Sequence, residues 1–123
     1  MAFINNEAFD QGLDYADVNG TRIDICSLEP TTYASATSTN TLGNKAVTTS
    51  APADGAVDGR AVTVVAITDG SVTGTGTASH WALTDGASIL LATGALDASQ
   101  SVTSGNTFTL DAIVIAIRDA VAV

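Results

Sequence analysis

The feature that most constrains this chain is the stretch of residues 70–110, in which short alternating segments are separated by turn-forming pairs. Asp85-Gly86 is one such pair, and Trp81, the single tryptophan of the chain, lies near the middle of the stretch. Period-two alternation interrupted by these pairs is typical of a chain that folds back on itself as antiparallel strands. The stretch therefore predicts a β-meander that organises the rest of the fold.

One helix is predicted ahead of this meander. Residues 6–17 place Phe9, Leu13 and Ala16 at helical spacing. Asn5 or Asn6 can cap the first turn, where the helix dipole also favours acidic side chains. A short amphipathic helix is expected here, and Asn19-Gly20 ends it.

Apolar or alternating runs outside the meander predict further strands, at residues 21–28, 46–51, 60–68 and 106–117. The run at 60–68 is rich in β-branched residues and predicts a central strand that is covered on both faces, followed by a turn at Asp69-Gly70. In the last run Ile113, Ile115 and Ile117 face one way, which makes them candidate core residues.

Between these runs lie two predicted loops, at residues 31–44 and 94–105. The first is rich in Thr and Ser, with a helical turn at residues 33–36 and with Tyr33 and Leu42 as its large apolar side chains. Loops this long inside compact domains tend to be functional. We therefore expect residues 31–44 to be an ordered and functionally important segment.

These elements predict a mainly β fold, an antiparallel β-sandwich or barrel-like domain with one short N-terminal helix and a long Thr/Ser-rich loop. A length of 123 residues suits a single domain over residues 1–123. Within it we distinguish an N-terminal arm and helix at 1–18, a β domain at 19–118 and a C-terminal tail at 119–123.

Charge and hydropathy exclude several classes of function. Thirteen acidic and four basic residues give a formal charge of −9, which repels a phosphate backbone, so no nucleic-acid partner is expected. The longest apolar run, residues 112–117, is far shorter than the roughly 20 residues of a membrane helix. The first residues also lack the basic and apolar regions of a secretory signal. We expect a soluble protein made in a cytoplasm, with no membrane partner.

Residues capable of catalysis are few. His80 is the only histidine, and no nucleophile elbow accompanies Ser79 beside it. Cys26 is the only cysteine, which excludes an intramolecular disulfide and makes a zinc site improbable; burial as a small hydrophobe is the simplest interpretation. We expect no enzyme activity, no cofactor, no metal and no small-molecule substrate.

Trp81 allows two interpretations. A single tryptophan in a small β protein usually lies in the core, where its large apolar area contributes most. The alternative is a platform for stacking a sugar or an anchor at a protein interface.

Two segments resemble a known group of proteins. The corner Glu29-Pro30-Thr31-Thr32-Tyr33 and the strand Ser79-His80-Trp81, with their surroundings over residues 19–45 and 78–110, resemble small virion proteins of tailed bacteriophages. The resemblance implies a structural role on the particle, most simply that of a capsid decoration, or cement, protein. The implied partners are the major capsid protein and further copies of the chain, including trimers. The implied location is the capsid surface of the virion, and before assembly the host cytoplasm.

Other roles remain open at this point, namely a tail-tube or tail-tip component and a glycan-binding or host-surface-binding β module displayed on the virion. The decoration role predicts partner contacts through the termini and the Thr-rich loop. Those candidate contact residues are Phe3, Ile4, Phe9, Tyr33, Leu42, Val121 and Val123. The candidate core and signature residues are His80, Trp81, Ile113, Ile115 and Ile117.

Overall fold

The computed structural model of the chain describes residues 5–118, apart from the side chains of Asn6 and Phe9. It has one α-helix, α1 (Asn6–Asn19), and a short π-helical turn (Ser35–Thr39). The strands of this part of the chain are β1 (Arg22–Cys26), β2 (Thr41–Ala46), β3 (Ala53–Asp54), β4 (Arg60–Val64), β5 (Ile67–Val72), β6 (Gly76–Thr84), β7 (Leu90–Val102), β8 (Thr107–Leu110) and β9 (Ile113–Ile117).

The strands form two antiparallel sheets. The larger is a curled six-stranded sheet in the order β7-β6-β1-β2-β5-β8, and the smaller has the order β3-β4-β9. The chain crosses between them three times, from β2 to β3, from β4 to β5 and from β8 to β9. This confirms the prediction of a mainly β, sandwich-like or barrel-like fold with one short helix.

Helix α1 confirms the helical prediction for residues 6–17. Asn5 caps it, because its Oδ1 accepts a hydrogen bond of 2.8 Å from the backbone N–H of Glu7. Leu13 is buried, and the helix packs against β4 and β9 of the smaller sheet. Arg60 on β4 donates from Nε to Asp10 Oδ1 at 2.8 Å, which fixes the helix to the sheet.

The larger sheet is covered on both faces along β1. Ile23 and Ile25 belong to the main core cluster on one face. On the other face Cys26 is buried against Ala36 of the π-helical turn, and its thiol donates to the Ala36 carbonyl at 3.6 Å. The predicted burial of Cys26 is confirmed, since the segment before β2 folds back over its strand.

The predicted loop at 31–44 and strand at 46–51 are wrong in their boundaries. The helical turn is present, but β2 (Thr41–Ala46) begins already at Thr41 and pairs with β1, while residues 47–51 hold only an isolated bridge at Thr49. Gly43 explains why this strand was hidden in the sequence. A Cβ there would lie 3.1 Å from the Val72 backbone, so the strand cannot carry a side chain at that position.

Two predicted strands each divide into two. Residues 60–68 form β4 and β5, and residues 106–117 form β8 and β9, with the members of each pair in different sheets. The interpretation of 60–68 as one central strand is therefore wrong, although β4 is central in the smaller sheet. Continuous apolar runs conceal such crossings because both halves face the same core.

Two predicted breaks are strand instead. Asp69-Gly70 lies inside β5, where the missing side chain of Gly70 makes room for the Phe108 ring on neighbouring β8. Residues 94–102 belong to β7, and the loop after it is confined to 103–106, where Gly105 has a φ of 92°. The predicted hairpin at Asp85-Gly86 is confirmed between β6 and β7.

Candidate binding site

The two edges of the larger sheet meet at one cleft. β7 and β8 are the outermost strands of that sheet, and both line a cavity of about 490 Å³. Residues 94–98 and Gln100 form its β7 side, and residues 109–114 form the side contributed by β8 and β9. The sheet therefore curls towards a barrel without closing, and we call the opening the seam cleft.

The inner wall of the seam cleft is apolar and continuous with the core. Trp81, Leu96, Leu110 and Ile113 line it, and all four pack against the main core cluster. The Trp81 ring lies directly over β7, since a Cβ on Gly94 would come within 2.7 Å of ring atoms. Glycine at position 94 therefore permits the position of the indole.

The indole also presents a hydrogen-bond donor. Trp81 Nε1 donates to no residue of the described part of the chain, and no buried side-chain nitrogen or oxygen of that part lacks a partner. The N–H group is therefore accessible to solvent at the cleft. A half-buried indole with a free donor is suited to contact with a ligand that has both apolar and polar parts.

The rim of the seam cleft is acidic. Asp97, Gln100 and Asp111 line it and are exposed. No lysine, arginine or histidine lies among the residues that line the cleft within residues 5–118. In a chain with a formal charge of −9, such a rim attracts cationic groups and repels acidic ones.

β7 gives the cleft an unusually long free edge. It spans 13 residues and contains neither proline nor lysine, two residues that commonly block edge pairing. Its pairing with β6 is irregular beside His80, so that residues 96–99 have no direct partner on β6. Residues 96–98 line the cleft, and such a bulge interrupts the regular edge of β7 and redirects side chains and backbone groups locally.

His80 does not activate Ser79. Ser79 Oγ donates to the Ser27 carbonyl at 2.9 Å, which uses its single proton. Its contact of 2.8 Å with His80 Nδ1 then requires the ring N–H to donate to Oγ. In this arrangement the imidazole cannot accept the serine proton at Nδ1, as a nucleophilic pair would require.

A buried ion pair on the outer face of β1 was missed by the sequence analysis. The Asp24 side chain is fully buried and accepts hydrogen bonds from Arg22 Nε at 2.7 Å, Arg22 Nη2 at 2.9 Å and Thr41 Oγ1 at 2.7 Å. The bond to Asp24 raises the pKa of Arg22 above its ordinary value. The alternation Arg-Ile-Asp-Ile was the available signal, because a charge on a covered strand needs a partner.

Only some of the contact residues predicted from the sequence lie in the described structure, and one of these is buried. Leu42 was proposed to contact a partner, but it is only 9% exposed and belongs to the main core, because β2 carries it inward. Tyr33 is half-buried on the segment that covers β1. Phe3, Ile4, Val121 and Val123 lie outside the described residues, as does the side chain of Phe9.

The candidate core residues also differ among themselves. Ile113 and Ile115 are half-buried and pack against the main core, as does Trp81. His80, next to Trp81 on β6, is half-buried as well. Ile117 is 37% exposed at the end of an edge strand, with α1 as its neighbour, so its assignment to the core was wrong.

Other kinds of site have no counterpart in the described residues. No group of three or more His, Cys, Asp or Glu side chains between residues 5 and 118 is arranged to hold a metal ion. Over the same range no helix has the length and apolar character needed to cross a membrane. Comparison with protein-family models, with curated proteins and with solved structures finds no match to this chain.

Proposed function

We propose that this chain is a virion structural protein of a tailed bacteriophage, a capsid decoration protein that binds the outside of the head and stabilises contacts between major capsid subunits. The single observation that best supports a protein-binding role is the seam cleft, where two sheet edges that have no strand partner among residues 5–118 flank an apolar wall. Unpaired edges of this kind pair readily with a strand of another protein.

The segments that carry the resemblance have structural roles in this fold, as expected of a scaffold shared among virion proteins. Ser35 Oγ donates to the Thr32 carbonyl at 2.8 Å and accepts from the backbone N–H groups of Thr31 and Thr32. These bonds form the turn after the buried Pro30. These bonds fix the local fold of the corner, whereas the Cys26 thiol, which donates to the Ala36 carbonyl, joins the covering segment to β1. Ser79 on β6 donates to the carbonyl of Ser27, just after β1.

Apolar side chains on other surfaces support contacts with more than one neighbour. Tyr15 and Val18 on α1 are 51% and 72% exposed. Partners at these surfaces would be the major capsid protein and further copies of the chain, including trimers. Contacts repeated over a shell stabilise it by avidity, with no need for a high affinity at each one.

The number of copies in the particle tests this proposal. A decoration protein is expected at a fixed and substantial ratio to the major capsid protein, because its sites repeat with the lattice. Quantitative gel analysis of purified virions measures that ratio. A handful of copies per particle would contradict the proposal and would favour the tail-tube or tail-tip role.

A glycan-binding module is the second candidate, and the position of Trp81 is the observation that favours it. The indole lines the cleft with a free N–H, beside exposed carboxylates and an amide that can bond to hydroxyl groups. A saturable change of tryptophan emission on adding mono- and disaccharides would support this role. Emission that stays unchanged up to high sugar concentrations would exclude it.

A further inference from the structure

We infer that the seam cleft binds an extended segment of a partner protein, in which apolar side chains alternate with lysine or arginine, and that this segment pairs with the free edge of β7. The inference deepens the proposed function and rests on it only for the identity of the partner. The recognition chemistry rests on the cleft itself.

The dimensions of the cleft suit a strand. Residues 94–98 and Gln100 of β7 border it, a stretch of at most ~23 Å at about 3.3 Å per residue, shortened by the bulge at residues 96–99. Across the opening, residues 109–114 offer a second free edge, from β8 and then β9. An added segment of about seven residues could therefore make backbone hydrogen bonds with β7 on either side of the bulge at residues 96–99 and with the opposite side of the cleft.

The two sides of the cleft then determine the sequence pattern of the segment. Successive side chains of a strand point to opposite faces. Those directed inward would contact Trp81, Leu96 and Ile113, which are apolar, whereas those directed outward would lie near the carboxylates of Asp97 and Asp111. Apolar residues alternating with basic ones satisfy both faces.

Charge argues against a second copy of the chain as the occupant. The whole chain contains only four lysines and arginines, and among them Arg22, Lys45 and Arg60 already pair with carboxylates of their own molecule. A copy with a formal charge of −9 would approach an acidic rim against electrostatic repulsion. A basic segment from a different protein is the complementary partner.

Trp81 makes the test direct, because the only tryptophan of the chain lines the cleft. The probe is a synthetic nine-residue peptide, blocked at both ends, in which valine alternates with lysine and threonine. Titration should change the tryptophan emission of the full-length chain saturably. A peptide with glutamate in place of lysine should cause no such change.

Two matched controls separate strand pairing from charge attraction. The double variant Asp97→Lys/Asp111→Lys should weaken binding of the lysine peptide by about tenfold or more. Asp14→Lys/Asp69→Lys makes the same change of net charge outside the cleft and should bind as the wild type does. In the lysine peptide with N-methylated valines, the valine N–H groups, which all point to one edge of the strand, can no longer donate, and binding should also fall at least about tenfold.

Several results would overturn the inference. These are an unchanged tryptophan emission, equal binding by both double variants, and equal binding of the N-methylated peptide. Emission that responds to sugars but not to the lysine peptide would assign the cleft to glycans. Emission that depends only on the concentration of the chain would assign it to self-association.

A parallel measurement distinguishes failure of the inference from failure of the proposed function. Head shells that lack the chain are mixed with wild type or with Asp97→Lys/Asp111→Lys and sedimented. Wild-type binding with unimpaired binding of the variant would overturn the inference and support the decoration role. Peptide binding in the cleft without any shell binding would support the inference and contradict the decoration role.

Discussion

The buried pair of Arg22 and Asp24 should respond unequally to removal of its two partners. Asp24→Ala leaves a guanidinium whose side chain is 30% exposed and can regain water. Arg22→Ala leaves a carboxylate with no exposure at all, supported only by the hydroxyl of Thr41. The second change should therefore destabilise the fold more than the first, although both delete the same ion pair.

The expected magnitudes follow from these exposures. Breaking a buried ion pair by removing one partner costs about 3–5 kcal/mol. Arg22→Ala should reach about 4 kcal/mol, because a fully buried carboxylate loses two charge-assisted hydrogen bonds. Asp24→Ala should cost about 2–3 kcal/mol, since the remaining cation is partly solvated. The double variant should cost less than the sum, because neither charge is left unpaired.

Urea unfolding of the wild type, both single variants and the double variant measures these free energies, with Trp81 emission and circular dichroism as probes. Equal penalties, a larger penalty for Asp24→Ala, or losses below about 1 kcal/mol would refute the electrostatic account of this face of β1.

Three further changes test the core, the thiol and the hairpin. Gly70→Ala should cost about 1–3 kcal/mol in urea unfolding, because its Cβ would overlap the buried Phe108 ring, whereas Gly74→Ala, with ordinary contacts, should cost less. Burial raises the pKa of the Cys26 thiol to about 12, so alkylation of the native chain by iodoacetamide at pH 8 should be very slow. The free energy of unfolding should fall above pH 9.0, because the thiol then ionises in the unfolded chain but not in the native one. Backbone N–H groups, that of Ile89 foremost, lower the pKa of Asp85, so the ionised side chain stabilises the fold. Asp85→Asn should therefore lower the melting temperature at neutral pH. The difference between variant and wild type should vanish as the pH falls from 3.8 through the lowered pKa of Asp85.

Local signals in the sequence were sufficient for the elements that depend on local chemistry. The cap at Asn5 and the apolar spacing of α1 predicted the helix correctly. The Asp85-Gly86 pair predicted the β6–β7 hairpin, where Asp85 Oδ1 accepts from three successive backbone N–H groups and Gly86 has a φ of 75°. Both signals act within a few residues, so a sequence pattern can report them.

Elements that depend on distant neighbours were not predictable in the same way. β2 contains Gly43 and little apolar surface, and it is a strand because β1 and β5 lie on either side of it. The continuous runs at 60–68 and 106–117 gave no sign that the chain changes sheets within each of them. Tertiary pairing overrides strand propensity at such positions.

The candidate site was likewise predictable only where it depends on a single residue. Trp81 stood out in the sequence as the only tryptophan, and it does line the cleft. The cleft itself joins residues 94–100 with residues 109–114, and their proximity depends on the strand order of a curled sheet. No spacing within the sequence encodes that order, so the acidic rim of Asp97 and Asp111 could not be recognised as one surface.

The measurement that tests the central claim most directly is the stoichiometry of binding to head shells that lack this chain. Shells saturated with the purified chain and separated by sedimentation are analysed for the ratio of bound chain to major capsid protein. A capsid decoration role predicts saturation at a fixed ratio set by the lattice, together with greater resistance of the shells to heat. No binding, or binding that rises without saturation, would contradict it.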